Sequence, residues 1–249
     1  MRIESGVGRL TETRRSWVRM YAGMVVLAMV AGCVRRGAST GMSARRVLLL
    51  EPTHAEWRVP APSISHLRFE TTKGVFVLEL IRQWGPIGAD RLYNLARLGY
   101  YDDTRFHRVN RNYIAQFGLH GDPAVNVAWK DQYLVDDPPH SNNVRGTFAF
   151  SFKAIPDTRN TQIYINLADN VKNNPEAFTV LGTVIEGMSV VDSLYAGYGE
   201  NSGSGVRQGR QGPLAEGGNA YVDREFPLLD RIRRVTVKSV RQRRGTVLR

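Results

Sequence analysis

From residue 67 to residue 80 apolar and polar positions alternate with a period of two. Leu67, Phe69 and Thr71 alternate with polar residues, Thr72-Lys73-Gly74 supplies a turn, and Phe76, Leu78 and Leu80 resume the alternation. That pattern predicts a β-hairpin. The period then changes. Pro86 stands where a helix can begin, Ile87, Leu92, Leu95 and Leu98 form an apolar stripe, and Gly99 offers a terminating left-handed position. A helix is predicted from about Pro86 to Leu98. Short apolar runs at Phe148-Ala149-Phe150, Gln162 to Ile165 and Phe178 to Val184 lie between turn-forming clusters and read as strands. Met188, Val191, Leu194 and Tyr195 give a second helical stripe, closed by Gly197. Many short strands with only two helices predict a β-barrel or a sandwich capped by helices.

The N-terminal quarter follows neither period. Met20 to Val34 carries no charge, follows an arginine-bearing segment and precedes Arg35-Arg36. A membrane-spanning helix needs about 20 apolar residues, whereas a secretory h-region needs about 7–15, so residues 1–32 read as an export signal. Val30-Ala31-Gly32-Cys33 resembles the bacterial lipobox, which implies that Cys33 is acylated and becomes the first mature residue. The alternatives are an ordinary cleaved signal, an uncleaved anchor, or a start at Met20 or Met24. Residues 33–64, rich in Gly, Ser, Arg and Pro, read as a flexible tether. A globular domain is expected over 65–240 and a basic tail over 241–249.

Composition narrows the chemistry. Thirty-four Lys and Arg against 23 Asp and Glu give a net charge of +11 over 249 residues, but +3 of this lies in residues 1–32. The rest is scattered and not interleaved with aromatics, which argues against nucleic-acid binding. One cysteine cannot close an internal disulfide, and the five histidines show no metal-ligand spacing, so no metal or other cofactor is expected. No G-x-S-x-G elbow occurs. Asp136-Asp137 before Pro138-Pro139 reads as a turn, with a paired-carboxylate sugar site as the alternative.

Gly99-Tyr100-Tyr101-Asp102-Asp103-Thr104-Arg105-Phe106-His107-Arg108-Val109, followed by Tyr113-Ile114-Ala115-Gln116-Phe117-Gly118, resembles the central signature of the cyclophilins. Thr161-Gln162-Ile163-Tyr164-Ile165 and the block from Phe178 to Met188 are similar to later parts of the same family, in the family's order. The stretches Gly197-Tyr198-Gly199-Glu200, Glu216 to Tyr221 and Phe226-Pro227 are similar to a bacterial subgroup. The resemblance covers about residues 65–240. It implies an eight-stranded antiparallel β-barrel with a helix across each end, and peptidyl-prolyl cis-trans isomerase activity. Arg108 matches the catalytic arginine, while Tyr113, Ile114 and Tyr164 match the proline pocket. Gln116 and Gln162 match the substrate-positioning residues, and Phe178 and Leu181 match the pocket rim. There are departures: Phe117-Gly118 replaces a Gly-Gly pair, and Lys153 stands where an asparagine is common. The loop from Val171 to Pro175 lacks the tryptophan of drug-sensitive members, which implies weak cyclosporin binding.

The expectation is a monomeric prolyl isomerase, lipid-anchored through Cys33 and facing the periplasm, whose partners are proline-containing unfolded or partly folded exported polypeptides. The alternative is a non-catalytic cyclophilin-fold module that binds proline-containing segments.

Overall fold

The computed structural model describes residues 44–176, 178–203 and 211–239. The leader, Cys33 and the basic tail therefore lie outside the described residues. The chain divides at Arg46/Val47 into two units; of the first, residues 44–46 are described and are helical. The second, Val47–Arg249, holds the whole sheet and the helices packed on it.

Eight antiparallel strands form one sheet in the order β3-β4-β6-β5-β7-β2-β1-β8. They are β1 (Ile64–Thr71), β2 (Val75–Ile81), β3 (Arg108–Val109), β4 (Ile114–Phe117), β5 (Thr147–Phe150), β6 (Ile163–Asn166), β7 (Val180–Glu186) and β8 (Ile232–Ser239). The predicted hairpin is β1–β2, with Phe69 opposite Phe76 and Leu67 opposite Leu78. The sheet curls until its two edge regions meet. Arg105 bridges Arg231, the Phe106 amide donates to the Asp230 carbonyl at 2.9 Å, and the Ile232 amide donates to the Thr104 carbonyl at 2.9 Å. Sharing these hydrogen bonds satisfies backbone groups that an open edge would leave unpaired.

The barrel interior holds the main core. Leu67, Phe69, Phe76, Leu78, Leu80, Phe117, Phe148, Phe150, Ile163 and Ile165 have no solvent exposure. Helix α1 (Pro86–Arg97) adds Ala89, Leu92, Leu95 and Ala96, and α3 (Met188–Asp192) adds Val191. α1 follows the end of β2, whereas Gly187 and Val190 lie against Gly74 and Val75 at its start, so the two helices stand at opposite ends of that strand. Ile87, expected on the buried stripe, is 42% exposed; Gly88 and Ala89 take the inward positions instead.

Two helices escaped the periodicity. Asp122 caps α2 (Pro123–Trp129) by accepting from the Ala124 amide at 2.9 Å. α4 (Gly212–Glu225) contains three glycines and a proline, which mask any apolar stripe. It bends at Gly218, where φ is 55° and a Cβ would lie 2.3 Å from the Gly121 carbonyl oxygen, a position only glycine fits. The second predicted helix is shorter than its stripe and ends at Asp192.

The expected tether is corrected over its second half. Residues 47–50 are helical, Ala55–Arg58 form a 3₁₀ turn, and Leu49, Trp57 and Ala61 are buried. The Trp57 indole meets Trp129 edge-on at 4.8 Å, and the Trp129 indole nitrogen donates to the Leu49 carbonyl at 2.8 Å. Proline and glycine punctuation hid a segment anchored by one large aromatic.

Candidate active site

Strand register assembles the site. Arg108 of β3 pairs with Gln116 of β4, Gln116 with Tyr164 of β6, and Tyr164 with Ala149 of β5. Directly paired residues share a face, so four residues far apart in the chain form one row across four strands. Ile114, two residues before Gln116, joins the same face. Tyr113, Ile114, Ala149, Tyr164 and Phe178 make a small apolar cluster separate from the main core.

Polar side chains run beside that cluster. Arg108 Nη1 donates to Gln116 Oε1 at 3.2 Å, Gln116 Nε2 to Gln162 Oε1 at 2.7 Å, and Gln162 Nε2 to Gln211 Oε1 at 2.8 Å. Arg108 Nε donates to both carboxylate oxygens of Glu200 at 2.9 Å. The guanidinium carbon lies 5.4 Å from the centre of the Tyr113 ring, and Lys172 Nζ lies 4.9 Å from it. The cation therefore stands beside the apolar cluster. Glu200 and Gln211 are loop residues about 90 and 50 positions from their partners; nothing in the local pattern marks either as part of this site.

The two phenol groups find partners within the protein. Tyr164 donates to Asn143 Oδ1 at 2.7 Å and Tyr113 to Asn173 Oδ1 at 3.4 Å. Burial holds the Tyr164 hydroxyl well above its usual ionisation range, so it remains a donor. Phe178 meets Tyr164 edge-on at 5.4 Å and Phe152 at 4.6 Å. The Phe117-Gly118 departure has a packing reason: Phe117 fills the core against Phe69, Tyr101 and Phe106. Gly118 passes so close to Thr161 that a Cβ would lie 2.4 Å from its carbonyl oxygen, at a φ of 113°.

Leu181 is a correction. Its side chain is fully buried in the main core, where it packs over Gly85 and Gly88, and it lines no rim. Val180, Leu181 and Gly182 are all buried, so hydrophobicity alone could not tell which face Leu181 takes. Lys153 is exposed, lies over the Tyr133 ring at 4.6 Å and donates to its hydroxyl. It lines a cavity of about 300 Å³ that extends from Gln162 past Phe152 to Trp129 and Gln211.

Asp136 and Asp137 are structural partners of Arg159, whose side chain is fully buried. Asp137 accepts from the Ile87 and Gly88 amides at 2.9 and 2.8 Å and from Arg159, tying down the start of α1. Asp136 stands 2.8 Å from Arg159 Nε.

A row of polar side chains thus lies beside a separate apolar cluster on one face of a curled antiparallel sheet. The fold matches the crystal structure of a cyclophilin type peptidyl-prolyl cis-trans isomerase from Cryptosporidium parvum, with a TM-score of 0.52 at 19% identity, over 72% of this chain and 99% of that one. Residues 66–210 match the model of the cyclophilin type peptidyl-prolyl cis-trans isomerase family, and the chain belongs to that family. It is 31% identical over 135 residues to a peptidyl-prolyl cis-trans isomerase of Acinetobacter baylyi, covering 51% of this chain and 70% of the relative. To peptidyl-prolyl cis-trans isomerase B of Escherichia coli it is 27% identical over 151 residues, covering 58% and 87%.

Proposed function

We propose that this chain turns over X–Pro peptide bonds at the face shared by Arg108, Gln116 and Tyr164. Rotation about such a bond is slow because partial double-bond character raises a barrier of about 18–20 kcal/mol, giving times of about 10–100 s. No covalent bond is made or broken. Catalysis therefore needs a seat for the proline ring, donors for the flanking peptide, and a group that favours the twisted amide over both planar forms. In the twisted state the imide nitrogen regains its lone pair, and a permanently charged guanidinium nearby stabilises that state.

The side chains of Tyr113, Ile114, Tyr164 and Phe178 supply the seat. Gln116 and Gln162 hold the flanking peptide, and Arg108 supplies the cation. The observation that carries this reading is the strand row that puts Arg108 and Gln116 beside an apolar cluster distinct from the core. A protease-coupled assay on short X–Pro peptides tests it. Arg108→Ala is expected to lower kcat/KM about 100-fold, the usual loss on removing a group that stabilises developing charge. Equal rates from wild type and variant would remove the enzymatic reading, and retained peptide binding would then favour the non-catalytic module.

The same reading places the enzyme, as a monomer, at the cell envelope, held by acylated Cys33 and acting on exported polypeptides. What supports it is the uncharged stretch from Met20 to Val34, preceded by arginines, with Val30-Ala31-Gly32-Cys33 at its end. Palmitate labelling of the wild type that disappears in Cys33→Ala is the expected result; an unlabelled wild type ends the lipid-anchor reading.

A further inference from the structure

The segment after α3 returns to the site at two points: Glu200 meets Arg108, and Gln211 meets Gln162. The contact at Glu200 is unusual for an ion pair near a surface. Both carboxylate oxygens accept from the same donor, Nε, and the side chains are 16% and 32% exposed. The pair is partly buried, so a folding role and a positioning role have to be told apart by measurement.

The pair also has a geometric effect. An arginine side chain has several rotatable bonds, so an arginine already held in one orientation loses less rotamer entropy when substrate binds. Here the stem side of the guanidinium is held by Glu200 through Nε, and one terminal nitrogen by Gln116 through Nη1. Two contacts on different edges of a planar group fix its orientation. No described residue accepts a hydrogen bond from Nη2. Nη2 is thus the terminal nitrogen without an acceptor among the described residues, while the carboxylate occupies the nitrogen nearest the chain.

We propose that Glu200 is a positioning residue for Arg108: by accepting from Nε it fixes the plane of the guanidinium that the twisted imide meets. This rests on the reading of Arg108 as the catalytic group, and the test separates the two. Wild type, Arg108→Ala, Glu200→Ala and Glu200→Gln are assayed side by side on the same X–Pro peptides, with melting temperatures measured in parallel. Glu200→Ala is expected to lose about 10-fold in kcat with little change in KM, as for an interaction that matters in the transition state. Glu200→Gln, whose amide oxygen can still accept from Nε, is expected to recover to within about threefold of wild type. Melting temperatures separate a positioning loss from a folding loss: the drop in kcat is expected at temperatures where both variants are fully folded.

Activity that survives Arg108→Ala sinks the reading of Arg108 and this inference with it. Activity lost in Arg108→Ala but intact in Glu200→Ala overturns the role of Glu200 alone. So does a Glu200→Ala variant faster than wild type, which would make the carboxylate a brake. A Glu200→Gln variant as slow as Glu200→Ala, or a loss that only tracks a lowered folded fraction, also overturns it.

Discussion

The two faces of β4, β5 and β6 carry different chemistry on the same backbone. Toward the barrel interior stand Ala115, Phe117, Phe148, Phe150, Ile163 and Ile165, all without solvent exposure and surrounded by other hydrocarbon groups. On the outer face stand Ile114, Gln116, Ala149, Tyr164 and Asn166, also buried or nearly so, but interleaved with amides and phenols. Tyr113 and Phe178 complete this outer cluster while staying half-buried. Burial alone does not separate the two faces. The inner one meets only permanent neighbours, so close-packed hydrocarbon suffices. The outer one mixes hydrocarbon with amides and phenols, and the hydrogen-bond chain from Arg108 through Gln116 and Gln162 to Gln211 pairs many of its polar atoms.

The sharpest way to break the contrast is to hollow the inner face. Phe117→Ala is expected to destabilise the fold by about 3–5 kcal/mol, the usual loss for an aromatic deleted from a close-packed core. Urea unfolding would show a lower midpoint, and a shift under about 1 kcal/mol would mean this region is softer than its packing indicates.

A smaller effect belongs to His107, which shares a small cavity with Leu119, Leu214 and Val222 just before β3. Burial, and then the charge of Arg108, push its imidazole down to about 4. The unfolded chain takes up this proton below about pH 6.5, but the folded chain resists it until about pH 4. The neutral ring's contribution is therefore full above about pH 6.5 and declines toward pH 4, by on the order of 3 kcal/mol. His107→Leu should flatten that part of the acid limb; identical urea midpoints for both proteins at every pH would contradict the shift.

The mildest change probes the outer face. Tyr164→Phe removes the donor to Asn143 Oδ1, which still receives Asn166 Nδ2 at 3.3 Å. A loss of about 1 kcal/mol is expected, with isomerase activity within a few-fold of wild type. A loss as large as that for Phe117→Ala would show that the outer face bears the fold as heavily as the inner one.

Where alternation or helical spacing was long enough to be seen, the fold was legible: β1, β2 and α1 lie within a few residues of their predicted bounds. β5, β6 and β7 were legible as apolar runs, but not which side chain faced which way, because both faces are buried. That ambiguity misplaced Leu181. α4 was hidden by its glycines and proline, and β8 by its arginines and lysine, which alternate only imperfectly with Ile232, Val235 and Val237. Resemblance, not pattern, picked out Tyr113, Ile114, Tyr164 and Phe178, and the fold packs these four into one cluster. Glu200 falls in a stretch similar to a bacterial subgroup, but neither it nor Gln211 is marked there as a site residue, since their contacts with Arg108 and Gln162 span about 90 and 50 positions and no local pattern records them.

The strand order has a consequence for biosynthesis. β1 is flanked by β2 on one side and by β8 on the other, and β8 spans Ile232–Ser239. A chain emerging N-terminus first from the ribosome must keep one border of β1 waiting through some 160 further residues. Until the last strand arrives, that border offers free amides and carbonyls to any neighbouring polypeptide. A stop codon ahead of Asp230 would thus leave the protein sticky as well as short, with the seam between Arg105 and Arg231 never zipped.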